Sequence, residues 1–448
     1  MFDFKNKKVL VLGMGRSGLA AALLLNHKGA QVLVNDQGKP EILRRAIRQL
    51  KRENIPVKLG AHEFSLVEGM DCIVVSPGIR SELPMLEKAR QENIPVISEI
   101  ELAYQFNRAP LIAVTGSNGK SSTVTLLGEV FKTVGRSTCV GGNIGTALCA
   151  ICEKLTPEDT LIAEISSFQL ENIKNFCPWV SIILNVTPDH QDRYPDFESY
   201  YQAKLNIFRN QKAGQFLILN NDDPQLRKIK NVLPQTIRFS QEEPLQKGVF
   251  IQNGEVLSTL LGAKTKIMAV KDVYHSGIHP LTNILAVIAV ALIAKIPPVK
   301  IRDSIKKFKG LEHRIEFVRT FREVRYFNDS KATNVDSVQF ALSNFKEPVH
   351  LIAGGYDKGG DFNQLVSAIQ QHVKDVILIG QAAKKMKACW QSLVPLHAAK
   401  DMKRAVQLAR KLARPGETVL LSPACASFDM FNNFEERGKV YKEQVRAL

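Results

Sequence analysis

The chain lacks any apolar run long enough to cross a bilayer, any nucleic-acid-binding signature among its basic residues, and any cysteine pattern that reads as a framework. Its most apolar stretch, ILAVIAVALIA at 284–294, falls short of the ~20 residues a spanning helix needs. Lys295 and two prolines close it, so it reads as a core helix and no membrane insertion is expected. The amino terminus, MFDFKNKKVLVLG, passes from charged residues straight into a strand. It has no apolar stretch or small-residue cleavage site of the kind a signal peptide carries, so a cytoplasmic location is expected. Seven scattered cysteines, an odd number in 448 residues, argue for reduced thiols rather than disulfides. Cys149 and Cys152 form one isolated CxxC in an apparently helical stretch, with no second pair to complete a zinc site. The net charge of +16 is spread from end to end, and no DNA- or RNA-binding module accompanies it. Nucleic acid is therefore not expected as a partner, and part of the excess can serve anionic small substrates.

What the chain does have is size and a repeating alternation of strand and helix. Its length predicts two to four domains, and 45% apolar residues suffice for buried cores. The first segment reads KKVLVLG, a helix from about 17 to 28, AQVLVND, a charged helix through 53, then DCIVVSPGI. Such alternation predicts a parallel, doubly wound sheet. Its first turn is Gly13, Met14, Gly15, Arg16, Ser17, Gly18, and Asp36 ends the second strand 18 residues later. That is a Rossmann fingerprint with its acidic residue in place. A dinucleotide and a UDP-sugar both satisfy this spacing, so the segment alone does not choose between them.

A second α/β unit begins near residue 99. Its first strand runs into VTGSNGKSST at 114–123, a glycine-rich turn with Lys120 and Ser121, which suits a nucleotide's phosphates and its Mg²⁺. The usual P-loop spacing wants glycine where Val114 stands, so the loop is a short form. The unit continues through LIAEISSFQL, VSIILNVTPDH and QFLILNNDD to the apolar helix at 282–295. Glu164 follows an apolar strand, where a P-loop protein keeps an acid near its Mg²⁺, although a capping or salt-bridged glutamate reads the same way. His190 ends another strand within a polar knot of Asp189, Gln191, Asp192 and Arg193, the character of a site. Lys204 falls on a helix with Tyr200 one turn earlier and by composition reads as a surface lysine. A third unit carries three polar strand ends: FNDSKATN with Asp329, Ser330, Lys331, Thr333 and Asn334; then GGYDKGGDF; then SPACASFDMFNNFEERG. Small, polar, mixed-sign residues at three strand ends suit an amino-acid or nucleotide site, although turns and caps look similar.

These motifs, in order over nearly the whole chain, resemble the Mur ligase family. They are GMGRSG at 13–18, SPGI at 76–79, TGSNGKSS at 115–122, GGNIG at 141–145, EISSFQLE at 164–171 and NVTPDHQDRYP at 185–195. They continue as GLEHRIE at 310–316, NDSKATN at 328–334 and LLSPACASFDMFNNFEERG at 420–438. The last two are similar to those of the members that add D-glutamate. The resemblance implies a three-domain α/β protein: a Rossmann-like UDP-sugar-binding domain at 1–98, a central P-loop ATPase-like domain at 99–309, and a Rossmann-like C-terminal domain for the amino acid at 310–448. It implies ATP as co-substrate, UDP-N-acetylmuramoyl-L-alanine and D-glutamate as small-molecule substrates, an acyl-phosphate intermediate, two Mg²⁺ sites and a monomer.

Carried over by motif, Gly116, Ser117, Asn118, Gly119, Lys120, Ser121 and Ser122 would hold ATP with Asn283, His313, Arg314, Asp329 and Lys331. Ser121 and Glu164 would serve one Mg²⁺. His190 and Lys204 would serve the other, the lysine once carbamylation has given it a carboxylate-like end. Carbamylation needs the neutral amine, so the site must lower this lysine's pKa. Ser17, Asp36, Ser76, Gly78 and Asn143 match UDP-sugar positions; Thr333, Lys358, Ser427 and Phe434 match the D-glutamate pocket. The family's His-Asn pair reads His279 and Pro280 here, and proline brings neither an amide side chain nor an N–H. Gln37 follows Asp36 where a hydroxyl residue is common, which leaves the uracil contact less defined.

Overall fold

In the computed structural model, residues 2–190, 193–274 and 280–448 are described. His279, Gln191 and Asp192 lie outside them. Three sheets organise the chain. The first holds β1 (Lys8–Leu12), β2 (Gln31–Asp36), β3 (Val57–Leu59), β4 (Cys72–Val75) and β5 (Val96–Ser98) in the order β3-β2-β1-β4-β5, all pairs parallel. The strand alternation separates two cores. Val9 and Val11 pack with Leu24 and Leu25 of the helix Arg16–His27, while Leu10 and Leu12 pack with Leu66, Val67 and Leu86. Helices cover both faces, as the near-continuous apolar strands require.

The second sheet holds β6 (Leu111–Thr115), β7 (Thr138–Gly142), β8 (Thr160–Glu164), β9 (Val180–Ile183), β10 (Phe216–Asn220), β11 (Gln235–Ser240), β12 (Gly248–Gln252), β13 (Glu255–Leu261) and β14 (Ala263–Ala269). Their order is β14-β13-β12-β11-β10-β9-β6-β8-β7. The expected parallel core is present. Beyond the strands expected from the sequence lie β11 to β14, of which β12, β13 and β14 pair antiparallel as an edge. Short strands such as GVFIQ carry no helix between them, so the strand–helix alternation that marks the rest is absent there. β6 lies between β8 and β9, and the chain turns to opposite sides after it. That is the switch point where open α/β sheets bind ligands.

The third sheet orders β15 (Glu316–Phe321), β16 (Val324–Asn328), β17 (Val349–Gly354), β18 (Val373–Ile379), β19 (Leu396–Ala398) and β20 (Thr418–Leu421) as β15-β16-β20-β17-β18-β19. Only β15 pairs antiparallel. β16, β20 and β17 are neighbours, so the three polar segments expected from the sequence leave adjacent strand ends.

The chain divides into two compact units, one holding residues up to 273 with 280–306, the other 307–448. The first unit contains two sheets because one continuous core joins them. Leu25 and Ala103 share it with Leu148, Cys149 and Cys152. Those two cysteines sit in consecutive 3₁₀ turns, Leu148–Ala150 and Cys152–Lys154, rather than in an α-helix. Both thiols are buried, and burial pushes each up, Cys152 to about 12. Buried thiols held protonated are packing groups, not reactive ones.

Candidate active site

The loop at 116–119 is built where the backbone must turn sharply off a buried strand. All five residues of β6 are buried, and the turn places Gly116 at φ +151° and Gly119 at φ +88°. A side chain at Gly119 would also collide with the Asn283 carboxamide, so glycine is required there on both counts. The loop is knitted to the segment after β9. Ser117 N and Asn118 N donate to the backbone and side-chain oxygens of Asn185 at 3.0 and 2.8 Å, and Ser117 Oγ donates to Thr187 O at 2.9 Å. Neither Asn185 nor Thr187 was singled out in the sequence, yet their place in NVTPDH is the strand-end signal that marks such partners.

Lys120 opens the helix Lys120–Lys132 and folds back over the loop, its Nζ donating to Gly116 O at 2.7 Å and Ser117 O at 2.9 Å. Ser121 Oγ donates to Glu164 Oε2 at 2.7 Å, and Asn143 Nδ2 donates to Glu164 Oε1 at 2.9 Å. Register explains this meeting: Val114 of β6 pairs with Glu164 of β8, and Thr115 with Ile183 of β9. Asn283 starts the apolar helix Leu281–Ile293, with Pro280 as its N-cap residue and no side-chain cap bond. Its Nδ2 is buried without a hydrogen-bond partner. A buried donor left unmade is costly, and beside a phosphate loop it is a donor waiting for an acceptor.

Lys204 overturns the surface reading. It lies on the helix Phe197–Leu205 at 2% exposure, with Nζ 4.4 Å from the Tyr200 ring centroid and donating to Gly116 O at 3.0 Å. Lys120 and Lys204 therefore meet at one carbonyl. Burial, then the Lys120 charge, hold Lys204 well below the ordinary lysine range, with Asp189 opposing. His190 sits at φ +54°, its ring edge-on to Phe168 at 4.7 Å and 6.1 Å from Tyr200. Tyr200 thus has Lys204 and His190 against one ring. Ser121 and Glu164 offer the oxygen donors that a hard cation such as Mg²⁺ takes. His190 fits a second cation, and Lys204 fits only as an anionic derivative of its neutral amine.

At the first sheet, Ser17 is half-buried at the start of the helix Arg16–His27, Ser76 is buried and donates to Gly13 O at 3.3 Å, and Gly78 is exposed. A Cβ at Gly18 would collide with Gly13 O, whereas one at Gly15 would meet nothing within 4 Å. Gly18 serves helix–strand packing, and Gly15 leaves the backbone open to a ligand. Asp36 accepts from Met14 N and Gly38 N, so its carboxylate braces the turn it follows. Asn143 departs from the other four: its side chain is on Glu164, and the first sheet reaches it through Arg16.

In the second unit, Asp329 is fully buried, accepting from Ile315 N at 3.2 Å and Ser422 Oγ at 2.9 Å. Burial pushes its carboxyl up to about 6, against the pull of Arg314. His313 (φ +67°) is buried 6.2 Å from the Phe434 ring, over which Lys331 Nζ lies at 5.2 Å. Residues assigned to the nucleotide and to D-glutamate therefore share one cluster. Thr333 is half-buried on the same loop, its N–H on Lys331 O. Lys358 is exposed on the loop after β17, which is tied to the buried Ser427 segment by Tyr356 N donating to Ala426 O at 2.9 Å. Arg437, within the motif at 420–438, is 1% exposed and donates to Ser330 Oγ, Ser330 O, Cys425 O and Ala426 O. It is a latch holding the loops after β16 and β20. Glu312, His313 and Glu316 have the spacing of a metal cluster, but Lys442 Nζ already bonds both carboxylates.

Three family models match the chain: a Mur ligase MurD-like N-terminal domain over residues 7–98, a Mur ligase middle domain over 114–291, and a Mur ligase glutamate ligase domain over 313–425. Among curated relatives, the UDP-N-acetylmuramoylalanine–D-glutamate ligase of Pelotomaculum thermopropionicum is 42% identical over 449 aligned positions, covering 100% of this chain and 99% of the relative. The ligase of the same name from Koribacter versatilis is also 42% identical, covering 100% and 98%. Among solved structures, the MurF ligase of Thermotoga maritima in complex with ADP superposes with a TM-score of 0.62 at 16% identity, covering 93% of this chain and 95% of that one. A pseudomurein peptide ligase type C from Methanothermus fervidus gives 0.62 at 20%, covering 99% and 100%. At these identities the structures speak for the fold alone.

Proposed function

The chain belongs to the Mur ligase family, and from that premise we infer that it is an ATP-dependent ligase joining D-glutamate to UDP-N-acetylmuramoyl-L-alanine in peptidoglycan synthesis. Its curated relatives bear that activity in their name over their full length. The observation that carries the chemistry is the meeting of Lys120 and Lys204 at the Gly116 carbonyl, with the Ser121–Glu164 pair on the adjoining strand.

A carboxylate is a poor electrophile, so the alanyl carboxylate must first be activated. Its oxygen attacks the γ-phosphorus of ATP, ADP departs, and an acyl phosphate forms. The D-glutamate amine then adds to the acyl carbon, loses a proton, and inorganic phosphate leaves. Lys120 and the loop N–H groups hold the phosphates and disperse the charge that builds on them. Ser121 and Glu164 would hold one Mg²⁺, and His190 with Lys204 a second. Bound there, the ions neutralise charge on the phosphoryl oxygens. The lysine reaches that role as a carbamate: its neutral amine attacks CO₂, an N–C bond forms, and one proton is released. Desolvation, with the Lys120 charge beside it, lowers this lysine's pKa in the direction that favours the neutral amine this needs.

Ser17, Asp36, Ser76, Gly78 and Asn143 are proposed for the UDP-sugar; Asn283, His313, Arg314, Asp329 and Lys331 for the nucleotide; and Thr333, Lys358, Ser427 and Phe434 for D-glutamate. The division 1–98, 99–309 and 310–448 is kept as the assignment of those tasks. A monomer acting in the cytoplasm and supporting cell shape and division completes the reading. One assay tests it. Phosphate release from ATP is expected to require both UDP-N-acetylmuramoyl-L-alanine and D-glutamate; release indifferent to D-glutamate, or preferring another amino acid, overturns the assignment.

A further inference from the structure

The two loops of the first sheet proposed for the sugar nucleotide are each tied by an arginine to a loop of the proposed phosphate site, and the two ties run in opposite directions. Arg16, in GMGRSG, donates from Nη1 to Gly145 O at 2.6 Å and from Nη2 to Asn143 O at 3.2 Å. Asn143 in turn places its amide on Glu164, whose other oxygen takes the Ser121 hydroxyl. Arg193, three residues beyond His190, donates from Nη1 to Pro77 O at 2.7 Å and from Nη2 to Ile79 O at 2.9 Å. Those two carbonyls bracket Gly78. The same guanidinium pairs with Glu171 Oε2 at 2.9 Å and lies 4.1 Å from the Phe168 ring, against which His190 packs.

We propose that Arg16 and Arg193 form a clasp of positioning residues, coupling the sugar-nucleotide loops to the loops that carry Glu164 and His190, so that each ligand is bound more tightly when the other is present. This rests on the functional reading above. The two arginines differ in what else they do. Arg193 is largely buried against Glu171, so part of its role is structural. Arg16 is exposed and bonds across to the carbonyls of residues 143 and 145. An exposed arginine held by two neutral acceptors contributes little to stability. What it does contribute is a tie on the 143–145 loop from a position one residue after Gly15, where the backbone is open to a ligand. A diphosphate there places its charge beside the guanidinium and steadies it. The Asn143 amide is then steadied on Glu164. A ligand shifts an equilibrium only through such differential contacts, and the effect is reciprocal.

The test is calorimetric. UDP-N-acetylmuramoyl-L-alanine is titrated into the full chain, alone and with Mg²⁺ and adenylyl imidodiphosphate. The wild type is expected to bind it at least about fivefold more tightly with the nucleotide present, the lower end of ordinary site–site coupling. Arg16→Ala is expected to bring that ratio close to one, with thermal unfolding unchanged. Arg16→Lys should fall between, because an ammonium cannot reproduce the two-pronged contact. Arg193→Lys, chosen over alanine to keep Glu171 paired, should also lower the ratio. A wild-type ratio of one, or an Arg16→Ala ratio equal to wild type, overturns the clasp. A wild type that binds no UDP-N-acetylmuramoyl-L-alanine under either condition overturns the functional reading and the clasp with it.

Discussion

Lys204 in the first unit and Lys442 in the second are both taken out of water, at 2% and 6% exposure, and they end in opposite states. Burial pulls Lys442 down, but hydrogen bonds and charge from Glu312 and Glu316 outweigh it and raise the group above the ordinary lysine range. Burial also pulls Lys204 down, and the Lys120 charge adds to it against a smaller opposing pull from Asp189, so it falls well below that range. Arg437 belongs with Lys442: burial lowers it only to about 10, and four acceptors surround it. Burying a cation is therefore not itself the signal of chemistry. A buried cation with its partners built in holds a fold together, and one placed beside a like charge is kept ready to give up its proton.

The contrast can be broken most severely at the active site. Lys204→Ala is expected to lower phosphate release by roughly 10²–10³, the scale of losing one preorganised electrostatic group, with partial recovery on adding short carboxylates. Full activity without rescue would remove Lys204 from the chemistry. A milder version uses one substitution in two places. Lys442→Met strands Glu312 and Glu316 and should destabilise the protein by about 1–2 kcal/mol, discounted because Glu312 is well exposed. Lys204→Met removes a desolvated amine placed beside a like charge and should be neutral, or stabilising by up to about 1 kcal/mol. Thermal unfolding reads both, and equal destabilisation at the two sites would erase the distinction.

The smallest effect concerns a buried acid. Burial pushes Glu99 from 4.5 up to about 7, only partly offset by hydrogen bonds from the Cys149 and Leu148 backbone and the Cys149 side chain. The native state then holds a proton that the unfolded chain has released. Stability falls as pH rises across that window, and it is fully present below 4.5. Unfolding midpoints followed between about pH 5 and 7 should drift down in the wild type and flatten in Glu99→Gln.

Much of this was legible because local chemistry and fold agree. Short continuous apolar runs, the glycines at 13, 15 and 18, and the Lys120–Ser121 pair mark their strands and turns. Asp36 was legible as an acid at a strand end, although what it meets here is Met14 N and Gly38 N. Lys204 was not legible from its neighbours. Its amine reaches the Gly116 carbonyl, 88 positions away, and a helical lysine one turn from a tyrosine looks the same on any surface. Arg16 was hidden inside a motif whose glycines drew the attention, and its partners at 143 and 145 belong to another sheet. Arg437 could be placed in a motif but not given a task, because its four acceptors come from two loops that only the fold makes adjacent.

The claim on which the rest depends is that Lys204, its pKa lowered by burial beside Lys120, can give up its proton and take up CO₂ while Lys442 cannot. Carbon-13 NMR of the protein equilibrated with ¹³C-bicarbonate tests it directly. A protein-bound carbamate resonance is expected in the wild type and in Lys442→Met, and is expected to vanish in Lys204→Ala. No such resonance at saturating bicarbonate, or one that survives in Lys204→Ala, would contradict it.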